Sequence, residues 1–329
     1  MHKRRDATRF PWVLLLTAPL MSGCVVVPIG DLFRPATLEE QVLVEGAGFF
    51  SKEKVAIVTV RGEIRGGDPS GGRSLFAAAN SVEETKAQLD RIRRDPEVRA
   101  VVLRIASPGG EVTACDVIYN ELVKFKKSTG MPLIASIGPQ GASGGYYIAC
   151  AADQIYANPT SIVGSIGVIL QHFDASGLLA KIGIQSGPIK SGDKKDLNSF
   201  LRAHTPDEHA ILQKLVDDMY ARFVDVVQAG RPRLSREAVV TIADGRVVSG
   251  VQAQELGLVD AVGYLEDALE DARGRAGVGS PTYVRYARSP GRDANIYSRS
   301  NVEATSADFE LRLRGSRSTA PQLSYLWQP

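Results

Sequence analysis

The stretch Gly138–Cys150, GPQGASGGYYIAC, sets one serine among glycines immediately before an apolar helical pattern. Ser143 satisfies G-x-S-x-G, a spacing that exposes a serine oxygen at a strand-to-helix turn. The free backbone N–H groups of such a turn can bind an oxyanion, so the residue types point to acyl transfer. The plainer alternative is a serine that only caps the helix.

A nucleophilic serine needs a base, and two completions are open. The first is histidine. Beyond the leader the chain has only His172, His204 and His209, and Asp196 followed by His204 stands in the order of an esterase or lipase triad. The strand MPLIASI ends several residues short of Ser143, which argues against a sharp elbow. The second completion is lysine, which works near neutral pH only when its amine is moved well down from ~10.4 by burial or a cationic neighbour. IKSGDKKDLNSF supplies Lys190, Lys194 and Lys195, whose plain reading is a solvated loop.

The elements that must position these groups alternate. KVAIVTVRG reads as a strand, and SVEETKAQLDRIRRD as a helix with Ser81 and Glu84 at capping-box spacing. VRAVVLRIA has the continuous apolar character of a strand buried on both faces, followed by SPGG and the helix EVTACDVIYNELVKFKKS. TPDEHAILQKLVDDMYARFVDVVQAGR is a long amphipathic helix with Leu212, Leu215, Met219, Phe223 and Val226 on one stripe, available to the core or to a partner subunit. Repeated β-then-α units imply an α/β fold with a mostly parallel sheet.

Five motifs occur in an order that resembles the signal peptide peptidase A family of membrane-associated serine peptidases: SPGGEV, GASGGYYIA, TSIVGSIGVI, KSGDKKD and GRVVSGVQAQELGLVD. The resemblance covers about residues 54–270. It implies a Clp protease/crotonase-like fold of repeated β-β-α units with added assembly helices. It also implies Ser143 as nucleophile, Lys195 as general base before Asp196, and Ser165 of VGSIG as the group orienting the lysine. Lys194 is the alternative base by one register step. The resemblance assigns the oxyanion-hole amides to Gly109 and Gly144, with Gly110 one step from Gly109. Members form rings, and one-repeat chains such as this one build the serine–lysine pair from adjacent subunits. The expected substrates are hydrophobic peptides such as released signal peptides, and no cofactor is implied.

The chain has 329 residues, 44% of them hydrophobic. Residues 1–23 have a basic start, the apolar run PWVLLLTAPLM and small residues, as in a secretory leader. LMSGC resembles a bacterial lipobox, which would make Cys24 the lipidated N-terminus and hold the protein at the inner or outer membrane on the periplasmic side. The leader carries +3 of the formal +2 charge, so the remainder sums to −1, and nothing suggests nucleic acid. Cys115 and Cys150 sit in apolar helical patterns and read as buried thiols; no metal spacing is present. GGDPSGGRS lacks G-K-[ST], so it is no phosphate loop. The expected organisation is a leader over 1–23, a linker and lead-in over 24–53, a peptidase domain over 54–275 and a polar, partly disordered tail over 276–329. Competing readings are a histidine-based esterase, an acyl-CoA-binding crotonase relative, and a catalytically silent ring scaffold.

Overall fold

A computed structural model describes residues 38–46, 52–67, 80–287 and 323–326. The leader, Cys24, nearly all of the GGDPSGGRS loop and the polar segment 289–320 lie outside the described residues.

The sheet follows from which runs are apolar at every position. β2 (Lys54–Arg61), β3 (Val98–Ser107), β5 (Leu133–Ala142) and β6 (Gln154–Ala157) lie parallel and adjacent in that order. Val55 and Ile57 point to one face and Ala56 and Val58 to the other, so both faces of β2 are buried. β11 (Thr282–Ala287) adds parallel to β2, and β1 (Glu39–Val44) adds antiparallel to β11. At the other edge β10 (Ala261–Val262) pairs with β6. The lead-in and the segment after 275 therefore each give a strand to the central sheet.

Helices cover both faces. On one, α1 (Ser81–Arg93), α2 (Val112–Thr129), α3 (Gly144–Ala149) and the second half of α5 (Pro206–Gly230) pack Leu89, Ile118, Phe125, Ile148 and Phe223 into the larger core. On the other, α8 (Leu265–Ala276) buries Leu265, Ala268, Leu269 and Ala272, the i, i+3, i+4, i+7 stripe of an amphipathic helix. The cap of α1 is Asn80, whose side chain accepts from the Glu83 amide at 3.0 Å, one residue before the expected Ser81. The α5 cap is a full capping box between Thr205 and Glu208. Only the later part of the α5 stripe is covered: Phe223 and Val226 are buried, whereas Leu215 is exposed.

β5 departs from expectation. Its pairing with β3 runs Val101↔Leu133 to Ile105↔Ile137, then resumes at Ser107↔Gly141. This bulge takes up the Gly138–Pro139 pair, which resembles a strand end, and lets the strand bend. Below the bulge β5 pairs with β6; above it, it pairs with β7 (Ile162–Gly164), which in turn pairs with β9 (Val247–Ser249). The strand thus runs on to Ala142, directly before Ser143, and the gap inferred from sequence is absent.

An ion pair with a buried cation ties the end of α5 to β6. The Arg231 guanidinium, 5% exposed, donates to Asp260 Oδ2 at 2.6 Å, and the same oxygen accepts from the Ile155 amide at 2.8 Å. Replacing Asp260 by alanine leaves a buried cation without its counter-charge, for an expected loss of ~3–5 kcal/mol in denaturant unfolding. A loss below ~1 kcal/mol would show that the pair does not anchor α5.

Candidate active site

Ser143 sits on a strained elbow. Its backbone has φ 51° and ψ −119°, a region that costs a non-glycine residue ~1–3 kcal/mol. Two hydrogen bonds hold it there: its amide donates to Gly164 O at 2.7 Å, and its carbonyl accepts from the Tyr147 amide at 2.9 Å. The side chain makes no capping bond to α3, which removes the helix-cap alternative. The residue is 1% exposed, and its hydroxyl has no hydrogen-bond partner among the described residues.

The glycines expected to face an oxyanion lie on β4 (Gly109–Glu111), which crosses the start of α3 at very short range. A Cβ on Gly144 would lie 2.4 Å from Cys115 Sγ, 3.1 Å from Gly109 Cα and 3.2 Å from Gly110 N. Gly109 has φ +108°, and a Cβ there would lie 2.7 Å from Gly144 N. Backbones can approach this closely only where side chains are absent. Gly109 N–H is already engaged by Ser107 Oγ at 3.1 Å. Ile64 N donates to Gly109 O and Ile64 O accepts from Glu111 N, so the Gly110 amide faces the opposite edge of β4. Gly110, the one-step alternative to Gly109, is therefore the glycine of SPGG whose N–H points to the edge of β4 away from Ile64, where Tyr325 of β12 (Leu323–Leu326) stands opposite it.

Ser165 follows β7 and lies beside the same elbow through the Ser143–Gly164 bond. It has φ 50°, is 9% exposed, and donates its amide to Arg246 O at 2.7 Å. Ser143, Gly144, Gly109, Gly110 and Ser165 are thus brought to one place by β4, β5 and β7.

The lysines are elsewhere. Residues 171–203 form an arm that includes α4 (Ser176–Lys181) and contains no buried residue. Lys190 pairs with Asp196 at 2.6 Å, and Lys194 pairs with Asp207, which raises the Lys194 pKa. Lys195 is exposed and forms no ion pair among the described residues. No hydrogen bond joins Ser143 to any lysine or histidine among those residues. The esterase triad is not assembled either. His172 and His204 stack on each other with ring centroids 3.6 Å apart, and Asp196 is held well below the usual carboxylate range by Arg202 and Lys190. Burial and the neighbouring His172 lower the pKa of His204.

Sequence reasoning missed the buried aromatic cluster behind the elbow, in which the rings of Tyr147, Phe223 and Tyr325 meet. Tyr147, one turn beyond Ser143, is fully buried and donates to Asp116 Oδ1 at 2.5 Å. Burial first, and that bond second, push its phenol pKa upward. Its ring meets Tyr119 edge-on at 5.5 Å and Phe223 at 5.0 Å. The i, i+4 spacing from Ser143 was the available signal. Cys115 and Cys150 are free and buried; burial raises both thiols, Cys150 to about 12, so neither is a nucleophile. No group of residues suited to a metal ion occurs among the described residues.

Comparison with known proteins agrees with this geometry. Peptidase family S49 matches residues 125–279. An Enterococcus faecium protein named as a signal peptide peptidase SppA is 36% identical over 267 residues, 80% of this chain and 75% of its own. A Synechocystis protein named as a protease is 41% identical over 69% of this chain and 76% of its own. Protease 4 of Salmonella typhi is 34% identical over 66% of this chain but only 34% of its own length. With a serine elbow, facing glycine amides and these relatives, the chain belongs to peptidase family S49 and is a serine peptidase of Clp protease/crotonase-like fold.

Proposed function

We propose that this peptidase cleaves hydrophobic peptides, released signal peptides among them, with a Ser143–Lys195 dyad assembled between two copies of the chain. The observation that carries this reading is the mismatch between a finished serine elbow and a base that is absent from it. Ser143 stands beside the Gly110 and Gly144 amides, while Lys195 stands on an exposed arm. Of the three candidate lysines, Lys190 and Lys194 are committed to carboxylates and Lys195 is not.

The arm also exposes Phe173, Leu178, Ile182, Ile184, Ile189 and Phe200, and the first half of α5 exposes Ile211 and Leu215. An apolar surface of this kind is suited to burial against a neighbouring subunit. Packing an arm over the neighbour's elbow would dry the site, the condition under which a lysine amine can act as a base. In the reaction the Ser143 hydroxyl oxygen attacks the peptide carbonyl as its proton passes to the Lys195 amine. The carbonyl oxygen becomes an oxyanion held by the backbone amides, with Ser165 orienting the lysine. The C–N bond then breaks, the proton goes to the leaving amine, and water releases the acyl group from Ser143.

The substrate class follows the name of the Enterococcus faecium relative. Attachment to an envelope membrane would come from lipidated Cys24; no helix among the described residues is long and apolar enough to cross a membrane. A leader over 1–23, a lead-in, a peptidase domain and a C-terminal segment complete the proposed organisation.

Ser143→Ala and Lys195→Ala should each abolish cleavage of a labelled hydrophobic peptide, and the two assembled together should regain a measurable fraction of it. Normal cleavage by Lys195→Ala would overturn the base, and mixed assemblies that stay inactive would overturn the shared dyad. An ordered wild-type ring that cleaves nothing would instead favour the scaffold reading.

Gly144→Ala should lower kcat by roughly 10²–10³-fold, because the added methyl pushes the oxyanion amides apart. Adding Cys115→Ala removes the sulfur contact but not the Gly109 and Gly110 backbone, so kcat should stay low. Recovery in the double variant, measured by steady-state kinetics on folded protein, would show that only the sulfur contact mattered.

A further inference from the structure

Lys195 rides on an arm, residues 171–203, that leaves β8 (Ile169–Leu170), contains no buried residue and leads into α5. Around the lysine the backbone is held only by short turns. Lys195 N donates to Gly192 O at 3.0 Å, Leu197 N to Lys194 O at 3.1 Å and Ser199 N to Asp196 O at 3.0 Å. Turns of this kind open easily, whereas a proton acceptor must stand within a fraction of an ångström of its target. The ties to the rest of the fold are made on either side of the lysine. Lys194 pairs with Asp207, and Arg202 bridges Asp196 to Glu208, so both neighbours of Lys195 are bound to consecutive residues in the first turn of α5.

The two ties are unequal. Lys194 and Asp207 are both exposed, a kind of pair that adds little stability. Arg202, by contrast, uses all five of its N–H groups. Nε and Nη2 donate to Asp196 Oδ2 and Oδ1, each at 2.8 Å. Nη1 and Nη2 donate to Glu208 Oε2 at 2.8 Å and Oε1 at 2.6 Å, and Nη1 also donates to Ala203 O at 3.1 Å. Two carboxylates are gripped by two edges of one planar guanidinium, a geometry that lysine does not reproduce. Lys190 Nζ donates to Asp196 Oδ1 at 2.6 Å, so two cations balance two carboxylates. The far end of the bridge is itself fixed: Glu208 is 2% exposed, its Oε2 accepts from Thr205 N at 2.9 Å, and its amide donates to Thr205 Oγ1 at 3.2 Å in the α5 capping box. The Arg202 guanidinium holds both carboxyls well below the usual carboxylate range, so the bridge stays charged at neutral pH.

We infer that Arg202 is the positioning residue of the base: by clamping Asp196 to Glu208 in the capping box of α5, it fixes the backbone from which Lys195 projects. The inference rests on the proposed Ser143–Lys195 dyad for its effect on turnover, but not for the order it gives the loop. Arg202 acts through Lys195 and not on the reacting atoms, so its loss lowers kcat and leaves KM nearly unchanged.

The test uses the full chain. Arg202→Ala should lower kcat for a labelled hydrophobic peptide by ~10²-fold, with KM within ~3-fold of wild type. Guanidinium ion at ~20 mM should raise the kcat of Arg202→Ala at least ~10-fold by re-forming the bridge, and should not revive Lys195→Ala. A variant that had only lost stability would gain nothing from a denaturant. Arg202→Lys, which keeps the charge without the fork, should exceed Arg202→Ala by no more than ~3-fold. Glu208→Gln keeps a residue suited to the capping box but offers Arg202 one oxygen in place of two, and should lower kcat by ~10-fold. For a readout independent of turnover, amide hydrogen exchange is followed by mass spectrometry in the Ser143→Ala background. Adding Arg202→Ala should speed exchange across 193–200 by at least ~10-fold while the second half of α5 keeps its protection. Unchanged exchange across 193–200 would overturn the inference, as would faster exchange with unaltered kcat where Lys195→Ala is inactive. Faster exchange with unaltered kcat where Lys195→Ala also cleaves normally would support the clamp and refute Lys195 as the base.

Discussion

The site depends on one close crossing of backbone on backbone. Gly109 and Gly110 of β4 press against Gly144 at the start of α3, at distances that leave no room for a single methyl group. That crossing decides where the amide donors stand relative to Ser143. It also explains why the serine accepts an unfavourable conformation: its peptide is held on one side by Gly164 O and on the other by the first bond of α3. Strain of ~1–3 kcal/mol is tolerable when the surroundings over-determine it. Here they do, since every residue of α3 is buried and Tyr146 reaches through the core to donate to Leu258 O at 2.7 Å.

The central sheet serves this crossing through the bulge in β5. Because the strand changes partner from β6 to β7, its end leaves the plane of the main sheet and delivers Ser143 beside Ser165 and β4. A regular strand would have continued along β6 and placed the serine away from the glycines. Lys195, the proposed base, is placed differently. It rides on an arm with no buried residue, tied to α5 by Arg202, which bonds both Asp196 and the buried Glu208. Ser143 is held by the core and Lys195 by the surface, the arrangement from which a dyad completed by association is proposed.

Much of this was legible in the residues. Apolar runs identified the parallel strands, and G-x-S-x-G with its flanking glycines identified the elbow, because those requirements are local. The failures were non-local. Gly138 and Pro139 carry the local signature of a strand end, and only pairing with β7 keeps the strand going. The surroundings of Gly109 and Gly110 are set by distant residues: Ser107 and Ile64 engage the groups around Gly109, and Tyr325 stands opposite Gly110. Asn80 displaced Ser81 as the cap because the two are equally good cap residues one position apart. Nothing near Tyr325 in sequence reveals its seat on Tyr147 and Phe223, which are more than 100 positions away.

The central claim is that Ser143 is the nucleophile and that Lys195 activates it. The most direct measurement is the mass of tryptic peptides after incubation with a hydrophobic peptidyl diphenyl phosphonate, whose phosphorus bonds the serine oxygen irreversibly as phenol leaves, read in wild type, Ser143→Ala and Lys195→Ala. The account predicts one adduct, on the peptide containing Ser143, lost in Ser143→Ala and strongly reduced in Lys195→Ala. An adduct on another residue, or full labelling of Ser143 without Lys195, would contradict it.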